Sequence, residues 1–236
     1  MAVLLHGSDA SKDGAIQRLI ELAMQTGEAS TDQARLFRSA VVAGGALPAL
    51  VAVLSAPEQQ RQLLAAAAIH ALAIDDPTTD EDNFHQFEIC QSGAVEPLVR
   101  MLGSEDPRVQ MAVTGPLSAL AENPSCQTMI VAAGAITPLM AMAQYGSDMQ
   151  KLGAMAALDV LAINNAASVK QLKTEGAGAL LGGLSTVGSP LLREQASDFG
   201  SRLDAPPPPL SPRRRTSRRR ARRVSSTTAC GSARSA

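Results

Sequence analysis

The sequence predicts an all-α solenoid, built from stacked three-helix units and followed by a disordered basic tail. Composition is the first observation: 45% of the 236 residues are apolar but only 2% are aromatic, and alanine alone contributes 41. That is helix-forming material, poor in the β-branched and aromatic residues of sandwiches and barrels. The second is a repeat. Gly-Ala pairs stand at Gly45-Ala46, Gly93-Ala94, Gly134-Ala135 and Gly176-Ala177, a nearly constant spacing typical of helical solenoids. The third is that other columns keep this register. Val41, Ile89, Ile130 and Leu172 precede the glycines by four, and Leu50, Leu98, Leu139 and Leu181 follow them by five. Further on come Ile69, Leu117 and Leu158 with a break at Gly200, then Leu72, Leu120, Leu161 and Leu203.

From the N-terminus, residues 1–35 read as a degenerate helical cap. Gly14-Ala15-Ile16-Gln17-Arg18-Leu19-Ile20 repeats the start of a second helix, yet Gly14 lies closer to Gly45 than a full repeat allows. Such a partial unit closes the end of a stacked core. The units follow at about 36–75, 84–123, 125–165 and 168–204. In each, a short helix ends at the glycine, which suits a left-handed C-terminal position. A second helix begins at once, where Pro48, Pro97 and Pro138 are tolerated because the first turn lacks internal donors. A third follows a polar turn such as Gly103-Ser104-Glu105-Asp106-Pro107, with Val109, Val113, Leu117 and Leu120 at helical spacing. It ends near Glu122-Asn123-Pro124 or Asn164-Asn165. The first unit is the longest, and its excess at Asp75 to Phe87 carries Asp75, Asp76, Asp80, Glu81 and Asp82. Asp-Pro-Thr-Thr-Asp-Glu-Asp lacks the central Gly and closing Glu of an EF-hand, so a solvated loop is expected.

The net charge of -1 conceals a separation: positions 1–204 carry -10 and positions 205–236 carry +9. The tail opens on four consecutive prolines, an extended spacer. Arg213, Arg214, Arg215, Arg218, Arg219, Arg220, Arg222 and Arg223 then crowd into eleven positions with nothing apolar to bury, the composition of a disordered segment. A localisation signal, a contact with nucleic acid, an anionic membrane or an acidic protein surface, a partner for the chain's own acidic body, and an extension without a role all fit it. Ser217 and Ser225 each follow two arginines in the Arg-Arg-x-Ser arrangement read by basophilic kinases, which makes them candidate phosphorylation sites.

The N-terminus lacks the basic lead and apolar run of a secretory signal. Two uncharged stretches, Ser39 to Pro57 and Asn123 to Ser147, have the length of a membrane span, but Gly and Pro interrupt both in the same phase, so helical core is expected and integral membrane association is not. Cys90, Cys126 and Cys230 form neither a disulfide framework nor a metal site, which points to a reducing compartment. Nor does catalysis find its residues. His6, His70 and His85 have no glutamate at metalloprotease spacing, there is no Gly-x-Ser-x-Gly, and Gly176-Ala177-Gly178 follows no strand. His70 reads as a structural histidine. No enzyme activity, metal or cofactor is expected.

Gly93-Ala-Val-Glu-Pro-Leu-Val-Arg-Met-Leu102, then Val109-Gln110, then Leu117-Ser-Ala-Leu-Ala121, resembles an armadillo repeat, and the resemblance extends over about residues 36–204. The short first helix distinguishes it from the two-helix HEAT repeat. The resemblance implies a right-handed superhelix whose third helices line a concave groove for extended peptides or partner helices. The Trp and Asn positions of importin alpha would fall at Ala67 and Ala71, Gly115 and Ala119, Ala156 and Val160. None is Trp or Asn, so a receptor for nuclear localisation peptides of that kind is not expected. One turn earlier stand Leu63, Met111 and Leu152, which would give a narrow-walled apolar groove for an amphipathic helix or apolar segment. A register one position away would instead place these residues in ordinary core, and the sequence leaves both readings open.

The expected function is that of a noncatalytic, cytoplasmic protein-interaction scaffold that holds a peptide or helix in this groove. Helices about 8 to 10 Å apart give three or four rungs, enough for roughly ten extended residues. The alternative is a nuclear or nucleic-acid-associated adaptor in which the tail holds an anionic partner and the solenoid recruits other proteins. No U-box-like segment supports a ubiquitin ligase. Oligomeric state is not legible.

Overall fold

A computed structural model describes residues 7–24, 31–74 and 84–205, and in them thirteen helices follow one another without a strand. After α1 (Asp9–Met24), the first unit is α2 (Thr31–Ala43), α3 (Leu47–Leu54) and α4 (Gln59–Ala73). The second is α5 (Phe84–Gln91), α6 (Val95–Leu102) and α7 (Pro107–Ala121). The third is α8 (Pro124–Ala132), α9 (Ile136–Tyr145) and α10 (Asp148–Ala162), and the fourth is α11 (Ala166–Thr174), α12 (Ala177–Leu184) and α13 (Pro190–Asp204).

The repeating glycines terminate each first helix. Gly45, Gly93, Gly134 and Gly176 have φ of 77°, 88°, 85° and 84°, which a side chain would strain. Around Gly45, the Ala46 amide donates to the Val41 carbonyl at 3.4 Å and the Gly45 amide to Val42 at 3.1 Å. Ala135 and Gly134 repeat this pattern on Ile130 and Val131, so carbonyls left over at the helix end are satisfied. Ala46, Ala94 and Ala135 are buried where the chain turns into the second helix. The turn bends Leu36–Ala43 against Leu47–Leu54, and Pro124–Ala132 against Ile136–Tyr145, by 80°. Each uncharged stretch is thus a pair of short helices bent nearly at a right angle, and no single helix among the described residues is long and apolar enough to cross a membrane.

The two middle third helices, α7 and α10, start on side-chain caps. Asp106 accepts from the Arg108 amide at 2.8 Å ahead of Pro107, and Ser147 closes a capping box with Gln150. All the third helices then stack as a ladder: α4 on α7, α7 on α10, α10 on α13. The leucine columns fill the space behind this ladder, with Leu50, Leu98, Leu117, Leu120, Leu139, Leu158 and Leu161 all buried.

Two expectations need correction. Gly14-Ala15 does not begin a second helix: Gly14 lies inside α1, which packs against α4 and so takes the place of a third helix at the head of the ladder. Ile16 and Leu19, one turn apart, supply the buried face that holds it there. The first helix of the first unit begins at Thr31, ahead of the expected start at 36. The acidic insertion from Asp75 to Asp82 and the arginine tail with Ser217 and Ser225 lie outside the described residues.

Candidate functional site

The nine groove residues named from the sequence fall on α4, α7 and α10, and the structure divides them. Ala71 and Ala119 are buried. Ala67 is exposed. Leu63, Met111, Gly115, Leu152, Ala156 and Val160 are half-buried, and Leu63, Leu152 and Val160 also pack against the core. The surface that remains is a line of small residues, Ala67, Gly115 and Ala156, flanked one turn earlier by Leu63, Met111 and Leu152.

Adjacent third helices interlock along this line. The imidazole of His70 on α4 lies over Gly115 on α7, where an added Cβ would stand 3.1 Å from Cε1. The Met111 thioether meets α10 at Gly153, where a Cβ would stand 3.5 Å from its methyl. Burial lowers the pKa of His70 from the ordinary 6.5, so the ring is neutral at physiological pH. Sequence reasoning treated His70 as structural and missed its place against Gly115 of the next third helix. The signal was available as one more column, since His70, Ser118 and Asp159 recur in the register of the repeat.

Polar groups hold the rungs at their ends. Arg61 Nε donates to Asp13 at 3.0 Å, which ties α4 to α1. Gln150 Nε2 donates to Gln110 Oε1 at 2.7 Å between α10 and α7. Arg202 Nε donates to Asp159 Oδ1 at 2.9 Å between α13 and α10. A paired guanidinium and carboxylate of this kind fixes the rotation of α13 more than it adds stability on an exposed face.

The remaining reactive side chains serve packing. Ser39 Oγ and His85 Nε2 are hydrogen-bonded at 2.8 Å and join the first helices α2 and α5. Cys90 and Cys126 are free, buried thiols. The side-chain hydrogen bond with Cys126, then burial, pushes Cys90 well above the ordinary thiol range and keeps it protonated. Among the described residues no group of three or more His, Cys, Asp or Glu is placed to hold a metal ion.

Residues 86–121 match the family model of the armadillo/beta-catenin-like repeat. No curated protein matches the chain. Among solved structures, a designed armadillo repeat protein in complex with the peptide (KR)4 is similar, at 21% identity over 84% of this chain and 77% of that one, with a TM-score of 0.71. A computationally designed armadillo repeat protein for modular peptide recognition aligns at 22% identity over 83% and 77%, with a TM-score of 0.69. The armadillo repeats only protein from Plasmodium falciparum aligns at 16% identity over 82% and 80%, with a TM-score of 0.67. Residues 86–121 thus carry the armadillo sequence pattern, and the ladder as a whole has the armadillo fold.

Proposed function

We propose that the chain is a noncatalytic interaction scaffold that holds an extended peptide or an amphipathic helix along α4, α7 and α10. The observation that carries the reading is the row of equivalent positions Ala67, Gly115 and Ala156, small on successive third helices, with the His70 ring over Gly115 and half-buried Leu63, Met111 and Leu152 one turn earlier. A floor without indole or amide side chains has little to clamp a peptide backbone. It suits the apolar face of a partner segment, with Met111 as an adaptable contact. Designed proteins of the same fold that recognise peptides support a peptide-sized partner. A second reading rests on the formal charge of +9 over positions 205–236, by which the tail would hold an anionic partner while the ladder recruits others.

The groove reading is tested by selecting peptides on the full chain from a random display library. Ala156→Arg, which places a long charged side chain in the floor, is expected to abolish capture of the selected apolar peptides while helix content stays intact. Undiminished capture by this variant, or selection of no peptide at all, would remove the groove from consideration.

A further inference from the structure

The turn that joins second to third helix changes character halfway along the ladder. In the first two units it is polar and tied down: Gln62 Nε2 donates to the Ala56 carbonyl at 2.7 Å, and its counterpart Gln110 donates to Ser104 at 2.8 Å. At the equivalent positions of the last two units the glutamines become Lys151 and Arg193, and the turn residues become Tyr145 and Val187. Two residues past each third-helix cap, Gln60 and Arg108 give way to Met149 and Leu191. Tyr145, Val187, Met149 and Leu191 are 79%, 73%, 65% and 56% exposed, the four most exposed large apolar side chains among the described residues apart from Leu36. Glycine sets both turns. A Cβ at Gly146 would meet the Met142 carbonyl at 2.5 Å, and one at Gly188 would meet Leu192 Cδ2 at 2.7 Å.

Beside this edge lies a cavity of about 400 Å³ with an apolar wall of Leu180, Leu184, Val187 and Leu192. Asp148 and Lys151 also line it. They stand three positions apart on the first turn of α10, and neither has an ion-pair partner among the described residues. An apolar surface repeated on two successive turns is not needed for folding, since a short polar turn does the same work in the first two units. It marks a contact with another surface.

We propose that this edge is a two-fold self-association surface, on which a second copy of the chain docks. The argument for a second copy is charge. An isologous contact sets each residue of the patch against the same patch, so it requires a surface complementary to itself. One unpaired acid and one unpaired base on the rim of a single apolar cavity meet that requirement: across the two-fold axis, Asp148 of each copy faces Lys151 of the other. The exposed apolar residues then enter the opposing cavity in pairs, and both units of the edge are covered at once. This inference is independent of the groove reading, which concerns the faces of α4, α7 and α10 rather than their turn edge.

The test is sedimentation velocity on the full chain over a concentration series. A reversible shift toward twice the monomer mass is expected. Asp148→Lys and Lys151→Asp should each weaken the dimer on the order of tenfold by placing like charges together, whereas the double variant restores opposite pairs and should regain the parent's dimerisation. Val187→Ser with Leu191→Ser alters only exposed positions, so the thermal transition stays in place while the dimer is lost. A chain that remains monomeric at every concentration overturns the proposal. So does a double charge variant no better than the single ones, or full dimerisation of the serine variant.

Discussion

His70 and Gly115 form one unit of structure between α4 and α7 of the ladder: the imidazole occupies the space that any side chain at position 115 would claim, its Cε1 3.1 Å from where that Cβ would stand. The contact joins the burial of a titratable group to a glycine in the middle of a helix. Gly115→Ala should therefore push the ring outward by a few tenths of an ångström and raise the His70 pKa toward 6.5. Proton NMR titration of the ring in both proteins checks this, and an unmoved pKa would separate the two residues.

The same histidine sets a pH dependence. Its folded pKa lies below the unfolded value of 6.5, so as pH falls through 6.5 the unfolded chain takes up a proton that the folded chain refuses. Stability is lost from about that point downward, and the loss ends once the folded ring also protonates. Urea unfolding between neutral and mildly acidic pH should show this slope, and His70→Gln should flatten it.

Two glycine substitutions should act in opposite directions. Gly134 has φ of 85°, so Gly134→Ala is expected to cost about 1 kcal/mol although nothing lies within 4 Å of the new Cβ. Gly178 lies in α12 with equally open space, and Gly178→Ala should gain up to about 1 kcal/mol from helix propensity. Chemical denaturation of the pair measures both. Equal effects would mean that space rather than backbone conformation governs these positions.

Leu120→Ala should cost about 2 to 5 kcal/mol, since the side chain is fully buried on α7 between two neighbours of the ladder. Stacked repeats lend stability to each other, so unfolding should lose cooperativity as well. A loss below about 0.5 kcal/mol would be that of a surface residue and would contradict its place in the core.

If the tail holds an anionic partner, binding of the full chain to duplex DNA should fall steeply with salt, and a chain ending at Asp204 should not bind. Phosphorylation of Ser217 and Ser225 together would remove about 3 to 4 charges from +9 and weaken that binding. Identical retention of the three forms on immobilised DNA would eliminate the tail as the contact.

Much of the fold was legible because local rules and long-range packing agree in a repeat. Each Gly-Ala pair marks a helix end by backbone conformation alone, and the leucine columns keep one phase because every unit buries the same face. The register of α1 was not legible. Gly14 imitates the repeating glycine in its neighbours, but whether a glycine ends a helix depends on what the following residues can pack against, and Ile16 and Leu19 find α4 by continuing the helix.

By itself, then, the sequence determined the units, their glycine ends and the columns that fill the core, since these follow from periodicity and backbone sterics. The tertiary structure alone decided which of the small residues on the third helices remain exposed. Ala67 and Ala71 lie one turn apart on the same helix, yet one is exposed and the other is buried at 1%. The difference arises from the approach of neighbouring helices, which has no counterpart in the spacing of residues along α4.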